Sequence, residues 1–315
     1  MSIYAFTLVE DDVKKIEIDE IRQGHKTVWV RAILPDEAEV NLLSELTNAP
    51  IEEFKEFLEQ DERPRLHVSR YLQIIFRSPI TDDGDVRTVP VNIFINKNLI
   101  VTVEKERISS LNKIEDLVNA RKSRYLFKFN SCYFLYHIID KINDEFLLNI
   151  DKISDSIDLF QSKGFSLSKE NVEKIYEKSV TLTIFNQALI SNIEVLNTLR
   201  KAYFKFLSDK NREQFNDLYY NALQVLDTEK IQRDVIANLF NLQAIISTSK
   251  LNNLIKRLTA ITLIFMIPAA ISGIFGMNFQ HIPFSGSQHG FVIVTGIILA
   301  IAALAFVLFK IGDWL

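Results

Sequence analysis

Two runs without a single charged side chain, 258–275 and 291–309, limit what this chain can fold into more than any other feature. They hold 18 and 19 residues. That is the length at which an α-helix crosses the hydrocarbon of a bilayer, and both are apolar all round rather than on one stripe. Lys250, Lys256 and Arg257 stand before the first run and Lys310 follows the second, whereas 280–290 holds no Lys or Arg. By the positive-inside rule the expected arrangement is multi-pass in a cytoplasmic (inner) membrane, with both termini cytoplasmic and the short connection outside. At its outer end the first run leads into Phe275-Gly276-Met277-Asn278-Phe279, an amide side chain where apolar residues would be usual.

The rest of the composition restricts the partners. Thirty-six Lys and Arg against 40 Asp and Glu give a net charge of −4, which lacks the bulk positive charge of a nucleic-acid binder. The 48% hydrophobic content is modest enough that the membrane part must be a minority of the chain. A single cysteine, Cys132, cannot make an internal disulfide and suits a reducing compartment. Residues 1–15 contain Glu10, Asp11 and Asp12 and no long apolar core, so a signal peptide is not expected.

Up to about residue 106 the pattern is that of a small α/β domain. Runs rich in β-branched and aromatic residues predict strands over 3–9, 14–18, 27–34, 71–77, 89–95 and 99–104. Turn residues at 24–25, 82–85 and 96–98 separate several of them. Helices are predicted over 36–46, opening at Pro35-Asp36, and over 51–60. Neither a GxxxxGK[ST] nor a GxGxxG run occurs, and no nucleophile–base pair stands out, so no enzyme is expected.

From about Ile108 the period becomes helical. Leu135, Ile138, Ile142, Phe146, Ile150, Ile153, Ile157 and Phe160 recur every three or four residues, the stripe of a packed amphipathic helix. Its other face carries Asp144, Glu145, Asp151, Asp155 and Asp158. These read as a solvated face, with a loosely held divalent-cation reservoir as the sharper alternative. After a break at Gly164, with Ser168 as N-cap, a second helix is expected to about Phe206, making an αα-hairpin. No Gly or Pro then occurs before Pro268, so a helix from about Asp209 can run unbroken into the membrane. At 1.5 Å per residue some 65 residues would span about 100 Å, far more than a bilayer needs, and a helix of that length calls for a symmetric bundle around it.

The expected fold class is therefore α+β with a membrane part. It divides into an α/β domain (1–120), a helical hairpin (121–208), a stalk helix (209–257), a first membrane helix ending in Gly-Met-Asn (258–278), an external loop (279–290), a second membrane helix (291–310) and a short tail (311–315). Stepping back from Asn278 in helical increments meets Gly273, Ala269, Met266, Thr262, Leu258, Ile255, Asn252 and Thr248. In a symmetric bundle this stripe would line the axis, and its large apolar members could close a pore by dewetting. Knobs-into-holes packing between helices would produce the same stripe. The stripe has no carboxylate, so an ion meeting it would be held through its water shell, which suits Mg²⁺ because that ion dehydrates reluctantly.

Phe275-Gly276-Met277-Asn278 between two C-terminal spans resembles the CorA family of magnesium and cobalt transporters, whose signature is an aromatic residue followed by Gly-Met-Asn. The resemblance extends through the Arg63-Pro64-Arg65…Tyr71 stretch, the hairpin and the stalk. It implies a funnel-shaped homopentamer in a lipid bilayer that admits hydrated Mg²⁺, also Co²⁺, with Ni²⁺ a further candidate. It makes Asn278 the ring that meets the ion and has Gly276 and Met277 shape the turn. It further implies a regulatory divalent-cation site between neighbouring cytoplasmic domains, for which Asp217 and Glu56 are the matching acids; each is otherwise an ordinary surface acid. The chain departs from the family in its outer loop, which lacks acids after the Asn. His281 and His289 could contact Co²⁺, Ni²⁺ or Zn²⁺ or be bystanders, and His25, His67 and His137 have no ligand-spaced partners. Two rival readings are a zinc transporter of the related ZntB branch, which usually carries Gly-Val-Asn, and a membrane-anchored scaffold or sensor that conducts nothing.

Overall fold

The computed structural model describes residues 3–10, 12–23, 27–82, 85–162, 169–201, 208–277, 282–284 and 286–314. By contact the chain divides into two units, Met1–Ala237 and Asn238–Leu315.

The first unit is built on a seven-stranded sheet. In chain order its strands are β1 (Ile3–Val9), β2 (Asp12–Ile16), β3 (Val28–Ile33), β4 (Arg65–Val68), β5 (Leu72–Asp82), β6 (Asp85–Asn96) and β7 (Leu99–Glu104), arranged β2-β1-β3-β7-β6-β5-β4. Only β3 and β7 run parallel; Val28 faces Leu99 and Ile33 faces Glu104. Two of the predicted strands have the observed bounds, 3–9 and 99–104. The predicted 14–18 strand begins earlier, at Asp12, and gives way to a 3-10 turn over Ile18–Gln23. The predicted 71–77 and 89–95 strands extend toward each other as one long hairpin, β5–β6. Strand β4 has no sequence prediction because three of its four residues are exposed, so the two-residue alternation that marks a strand is missing.

Helices α1 (Glu37–Thr47) and α2 (Ile51–Glu59) cover one face of the sheet. Asp36 begins α1 with a full capping box: its side chain accepts from the Glu39 N–H and the Glu39 carboxylate accepts from its own. Val40, Leu43, Phe54 and Phe57 from these helices meet Val28, Val30, Ala32, Phe94 and Val101 from the sheet. Phe54 stacks on Phe94 with ring centroids 4.4 Å apart.

The other face is covered by α3 (Ser109–Asn119), the short α4 (Arg124–Phe127), α5 (Ser131–Ser162) and α6 (Lys169–Lys201). Trp29, fully buried, lies between Phe6 and Phe134 at 5.4 and 5.3 Å. Its indole N–H donates to Thr102 Oγ1 at 3.0 Å. Next to it Arg31, also fully buried, bonds both Glu104 oxygens (2.6 and 2.8 Å) as well as Glu115 and Asn112 of α3. A planar guanidinium saturated in this way by two carboxylates and an amide locks α3 to the sheet centre.

The α5 stripe predicted from periodicity is buried from Leu135 to Ile157. One residue of its opposite face is placed differently from expectation. Glu145 is 7% exposed and bonds Lys113 of α3 at 2.5 Å, so it belongs to the packed side, while Asp144, Asp151, Asp155 and Asp158 remain exposed. Packing of α3 against α5 decides this, and helical periodicity within α5 alone could not. Helix α6 fastens to the sheet through Asn192, whose amide accepts from the Arg77 N–H (2.9 Å) and donates to the Arg77 carbonyl (2.8 Å). Strand β4 starts at Arg65, opposite Ile75, so at Arg77 this amide takes the place of a strand neighbour. The predicted break at Gly164 and N-cap at Ser168 lie outside the described residues.

Helix α7 runs from Asp209 to Phe275, 67 residues with Pro268 as its only proline. Its start and continuity match the expectation drawn from the missing Gly and Pro. In the second unit, the rest of α7 is joined by α8 (Gly290–Ile311). Both helices are long and apolar enough to cross a bilayer, and their apolar stretches are almost wholly exposed in the single chain.

Candidate ion pathway

The stripe read from the sequence lies on α7, and every member is exposed: Thr248, Asn252, Ile255, Leu258, Thr262, Met266, Ala269 and Gly273. Within one chain nothing covers Leu258 (66% exposed) or Met266 (58%). Residues this apolar on an uncovered helix need either lipid or other protein against them. Among the stripe residues, Thr262 is polar and sits inside the apolar run. Its hydroxyl donates to the Leu258 carbonyl at 2.8 Å, as Thr259 does to Ile255 at 2.9 Å. With the proton committed to the helix, the Thr262 oxygen presents lone pairs outward, the polarity that a cation's water shell requires. Ala260 alone in the first membrane run is fully buried, so the face opposite this stripe is the one that makes contact within the chain.

The helix ends at the tripeptide. The Gly276 N–H is shared between the carbonyls of Ser272 (2.9 Å) and Gly273 (3.2 Å), and the Met277 N–H reaches Ile274 (3.2 Å). The last turn is thus tightened into i→i−3 bonds, the usual way a helix end satisfies its carbonyls. A Cβ added at Gly276 would make only ordinary contacts, 3.4 Å to the Ser272 oxygen, and at Gly273 it would meet nothing. No contact among the described residues therefore demands glycine at either place. Met277 is 51% exposed. Asn278 and His281 lie outside the described residues, as does His25.

The connection back to α8 is built by a tight turn. Phe284 holds a left-handed backbone (φ 66), its carbonyl accepts from Ser287 at 3.1 Å, and Gly290 donates to Ser287 at 3.0 Å. Here glycine is required, since a Cβ on Gly290 would fall 2.2 Å from the Phe284 oxygen. A cavity of about 490 Å³ lies between the two helix ends, bounded by Ser272, Phe275, Ile282, Phe284, Phe291 and Ile298. Among the described residues no ionisable group lines it. His289 precedes α8 at the N-cap position without a side-chain capping bond.

The two candidate regulatory acids are both exposed, Glu56 on α2 and Asp217 on α7, and no bond joins them within the chain. Among the described residues no group of three or more His, Cys, Asp or Glu is placed to hold a metal ion. Burial pushes the Tyr136 hydroxyl up, and Asp140, Asp217 and Asp144 add to the shift, so the charges of two α5 acids and of Asp217 on α7 are all felt at this hydroxyl. Burial also raises the Asp140 carboxyl, with Asp144 contributing.

A second acid missed by sequence reading is Glu229 of α7, fully buried. One of its oxygens accepts from Asn186 of α6 at 2.7 Å, and the other lies 3.6 Å from Arg233 Nε. Burial raises this carboxyl above the usual glutamate range, and the Asn186 bond and Arg233 only partly oppose that. His137, ringed by Tyr125, Tyr133 and Tyr136, is lowered to about 4 by burial, with Lys141 adding to it. Burial likewise pushes the Cys132 thiol up to about 12, so it is an inert packing residue.

Comparison with known proteins covers nearly the whole chain. The Cobalt/magnesium transport protein CorA of Methanocaldococcus jannaschii is 28% identical over 302 residues, 95% of each chain. The complete structure of the CorA magnesium transporter from the same organism superposes with a TM-score of 0.90 at 26% identity, covering 100% of this chain and 99% of that one. The cytoplasmic domain of ZntB from Vibrio parahaemolyticus shares the fold over 78% of this chain and 97% of its own, with a TM-score of 0.62 at 12% identity. Residues 24–310, from the third strand's approach to the end of the second apolar helix, match the family described as CorA-like Mg²⁺ transporter protein. With strands β3 to β7, the long helix, the paired apolar helices and Gly-Met-Asn inside that match, the chain belongs to the CorA-like Mg²⁺ transporter family.

Proposed function

We propose that copies of this chain assemble, as a homopentamer, around a central pathway lined by α7, and that hydrated Mg²⁺ enters the cell through it. The observation that carries this reading is the uncovered, uncharged stripe from Thr248 to Gly273. It is too apolar to face water in isolation, and its polar members present neutral oxygens. Carboxylates would strip or trap a divalent ion, whereas hydroxyl, amide and carbonyl oxygens bond its water shell and release it. Co²⁺, of similar hydrated chemistry, passes by the same route, and Ni²⁺ is a further candidate. The membrane potential supplies the drive: a divalent cation gains about 5 kcal/mol for each 100 mV it crosses.

In this reading Asn278, next to Gly276 and Met277, forms the outer ring that meets the hydrated ion, and Met266, Leu258 and Ile255 form the apolar rings that close the path by dewetting. Lys250, Lys256, Arg257 and Lys310 mark the cytoplasmic side of the inner membrane. Asp217 is one half of a regulatory Mg²⁺ site whose other half is Glu56 of a neighbouring copy. Empty, the facing acids repel; occupied, the cation bridges them and holds the assembly closed.

Flux into liposomes tests the pathway. Asn278→Ala should abolish Mg²⁺ uptake while the oligomer keeps its mass in detergent, and unchanged uptake refutes the selectivity ring. Zn²⁺ uptake that depends on a proton gradient, without Mg²⁺ uptake, would favour the zinc-transporter alternative instead. For the regulatory site, the Glu56→Ala, Asp217→Ala double variant should lose Mg²⁺-dependent protection from proteolysis; retained protection places the sensor elsewhere.

A further inference from the structure

Outside the ion pathway, a cavity of about 670 Å³ opens in the first unit between the sheet edge and α6. Its size lies in the range of small-molecule sites. Its chemistry is unbalanced in a specific way. Arg77 on β5 forms the fixed side: its Nε donates to Thr88 Oγ1 (3.0 Å), Nη2 to the Thr88 carbonyl (2.6 Å) and Nη1 to Asp61 (2.9 Å) and to the Glu62 carbonyl (3.3 Å). Asp61 is thereby committed to Arg77, and the Glu62 carboxylate is paired with Arg65 at 3.3 Å. Arg63, which lines the same cavity, is exposed, and among the described residues no carboxylate pairs with it. Two guanidinia against one carboxylate leave the cavity with a spare positive charge and a set of unused N–H donors.

The opposite wall belongs to α6. Ile184 and Ala188 make it apolar, and Gln187 and Ser191 add an amide and a hydroxyl. The Ser191 hydroxyl donates to the Gln187 carbonyl at 3.1 Å, which leaves its oxygen as an acceptor toward the cavity.

We propose that this cavity is a binding site for a small organic anion, its phosphate or carboxylate head on Arg63 beside Arg77, its body against Ile184, Ala188 and Pro64. Arg63 supplies the charge-assisted bonds, since its fork of donors matches either head group. The apolar wall selects an organic body over a bare ion. Occupancy bears on α6 one residue from Asn186, which holds the buried Glu229 of α7, so a ligand here presses on the joint between the hairpin and the long helix.

Titration calorimetry on the full-length protein in detergent tests this, with AMP as a phosphate-headed probe, citrate as a carboxylate probe and inorganic phosphate as the head alone. The expected result is saturable binding of AMP or citrate that is at least about tenfold tighter than that of inorganic phosphate. In Arg63→Ala, and more so in Arg63→Glu, that binding weakens by about tenfold or more while far-ultraviolet circular dichroism stays unchanged. Arg63 is exposed and unpaired, so these variants should fold. Failure of both organic probes to bind overturns the proposal. So does binding that Arg63→Glu leaves intact, or inorganic phosphate binding as tightly as AMP and citrate.

Discussion

Replacing Asn192 by alanine removes one side chain and orphans two backbone groups. In the native chain the Asn192 amide is fully buried and holds both the N–H and the carbonyl of Arg77, at 2.9 and 2.8 Å. Beyond the start of β4 no strand stands ready to take over those groups. A buried polar group left without a partner costs about 1–3 kcal/mol, so the pair puts the loss at roughly 2–6 kcal/mol. For a unit of this size that corresponds to a fall in apparent Tm on the order of 4–24 °C. The assay is intrinsic fluorescence during thermal unfolding. Of the two tryptophans, Trp29 is fully buried in the sheet core and reports the first unit, and Trp314→Phe removes the other signal. Asn192→Asp is a sharper probe, because it keeps the acceptor for the Arg77 N–H, loses the donor and buries a charge; it should be at least as destabilised as the alanine variant. If Asn192→Ala shifted the Trp29 transition by less than about 0.5 kcal/mol, the amide would not be completing the sheet, and the reasoning that ties α6 to β5 would fail.

Other outcomes follow from the same geometry. Glu229 has its carboxyl raised by burial, so the folded state holds its proton to higher pH than the unfolded chain does; stability is fully present below the ordinary glutamate value of 4.5 and is lost as pH rises through the raised folded value. Glu229→Gln should flatten that part of the stability-against-pH curve measured by Trp29 fluorescence, and an unaltered slope would show that the carboxyl does not titrate there. Gly290→Ala drives a Cβ to 2.2 Å from the Phe284 carbonyl oxygen, an overpacking cost of about 1–3 kcal/mol, and should open the 284–290 turn to chymotrypsin in liposomes. Gly296→Ala, where the added carbon meets nothing within 4 Å, is the control and should digest like wild type.

Much of this architecture was legible because the relevant signals are local. Strands 3–9 and 99–104 announce themselves by runs rich in β-branched and aromatic residues, and Pro35-Asp36 marks the start of α1. The 67-residue α7 follows from the missing Gly and Pro, and the exposed stripe along it from helical counting. What escaped depends on contacts between segments far apart in the chain. Strand β4 is too short and too exposed to show a period. Glu145 sits among acids on a helical wheel, yet Lys113, 32 residues earlier, draws it inward. Glu229 gains meaning only when Asn186 meets it from α6. At the tripeptide the reverse holds. Its presence was plain in the sequence, yet no contact among the described residues requires Gly276 to be glycine.

The uncharged link between α7 and α8 also bears on how such a protein is made. Both apolar segments come late in the chain, so the sheet and hairpin leave the ribosome first and, at synthesis rates of about 5–20 residues per second, have time to fold before any hydrophobic segment emerges. In the proposed topology the stretch that crosses the bilayer is 276–290, which carries no Asp, Glu, Lys or Arg. Carrying a charge through hydrocarbon costs about 3 kcal/mol even on the lenient insertion scale, and here none has to be carried. In that proposed arrangement the same lack of acids leaves the outer mouth without electrostatic attraction for cations and makes the link between α7 and α8 easy to insert. Adding a ring of carboxylates to this loop would thus trade ease of biogenesis for ion capture, and the yield of membrane-inserted protein would register the cost.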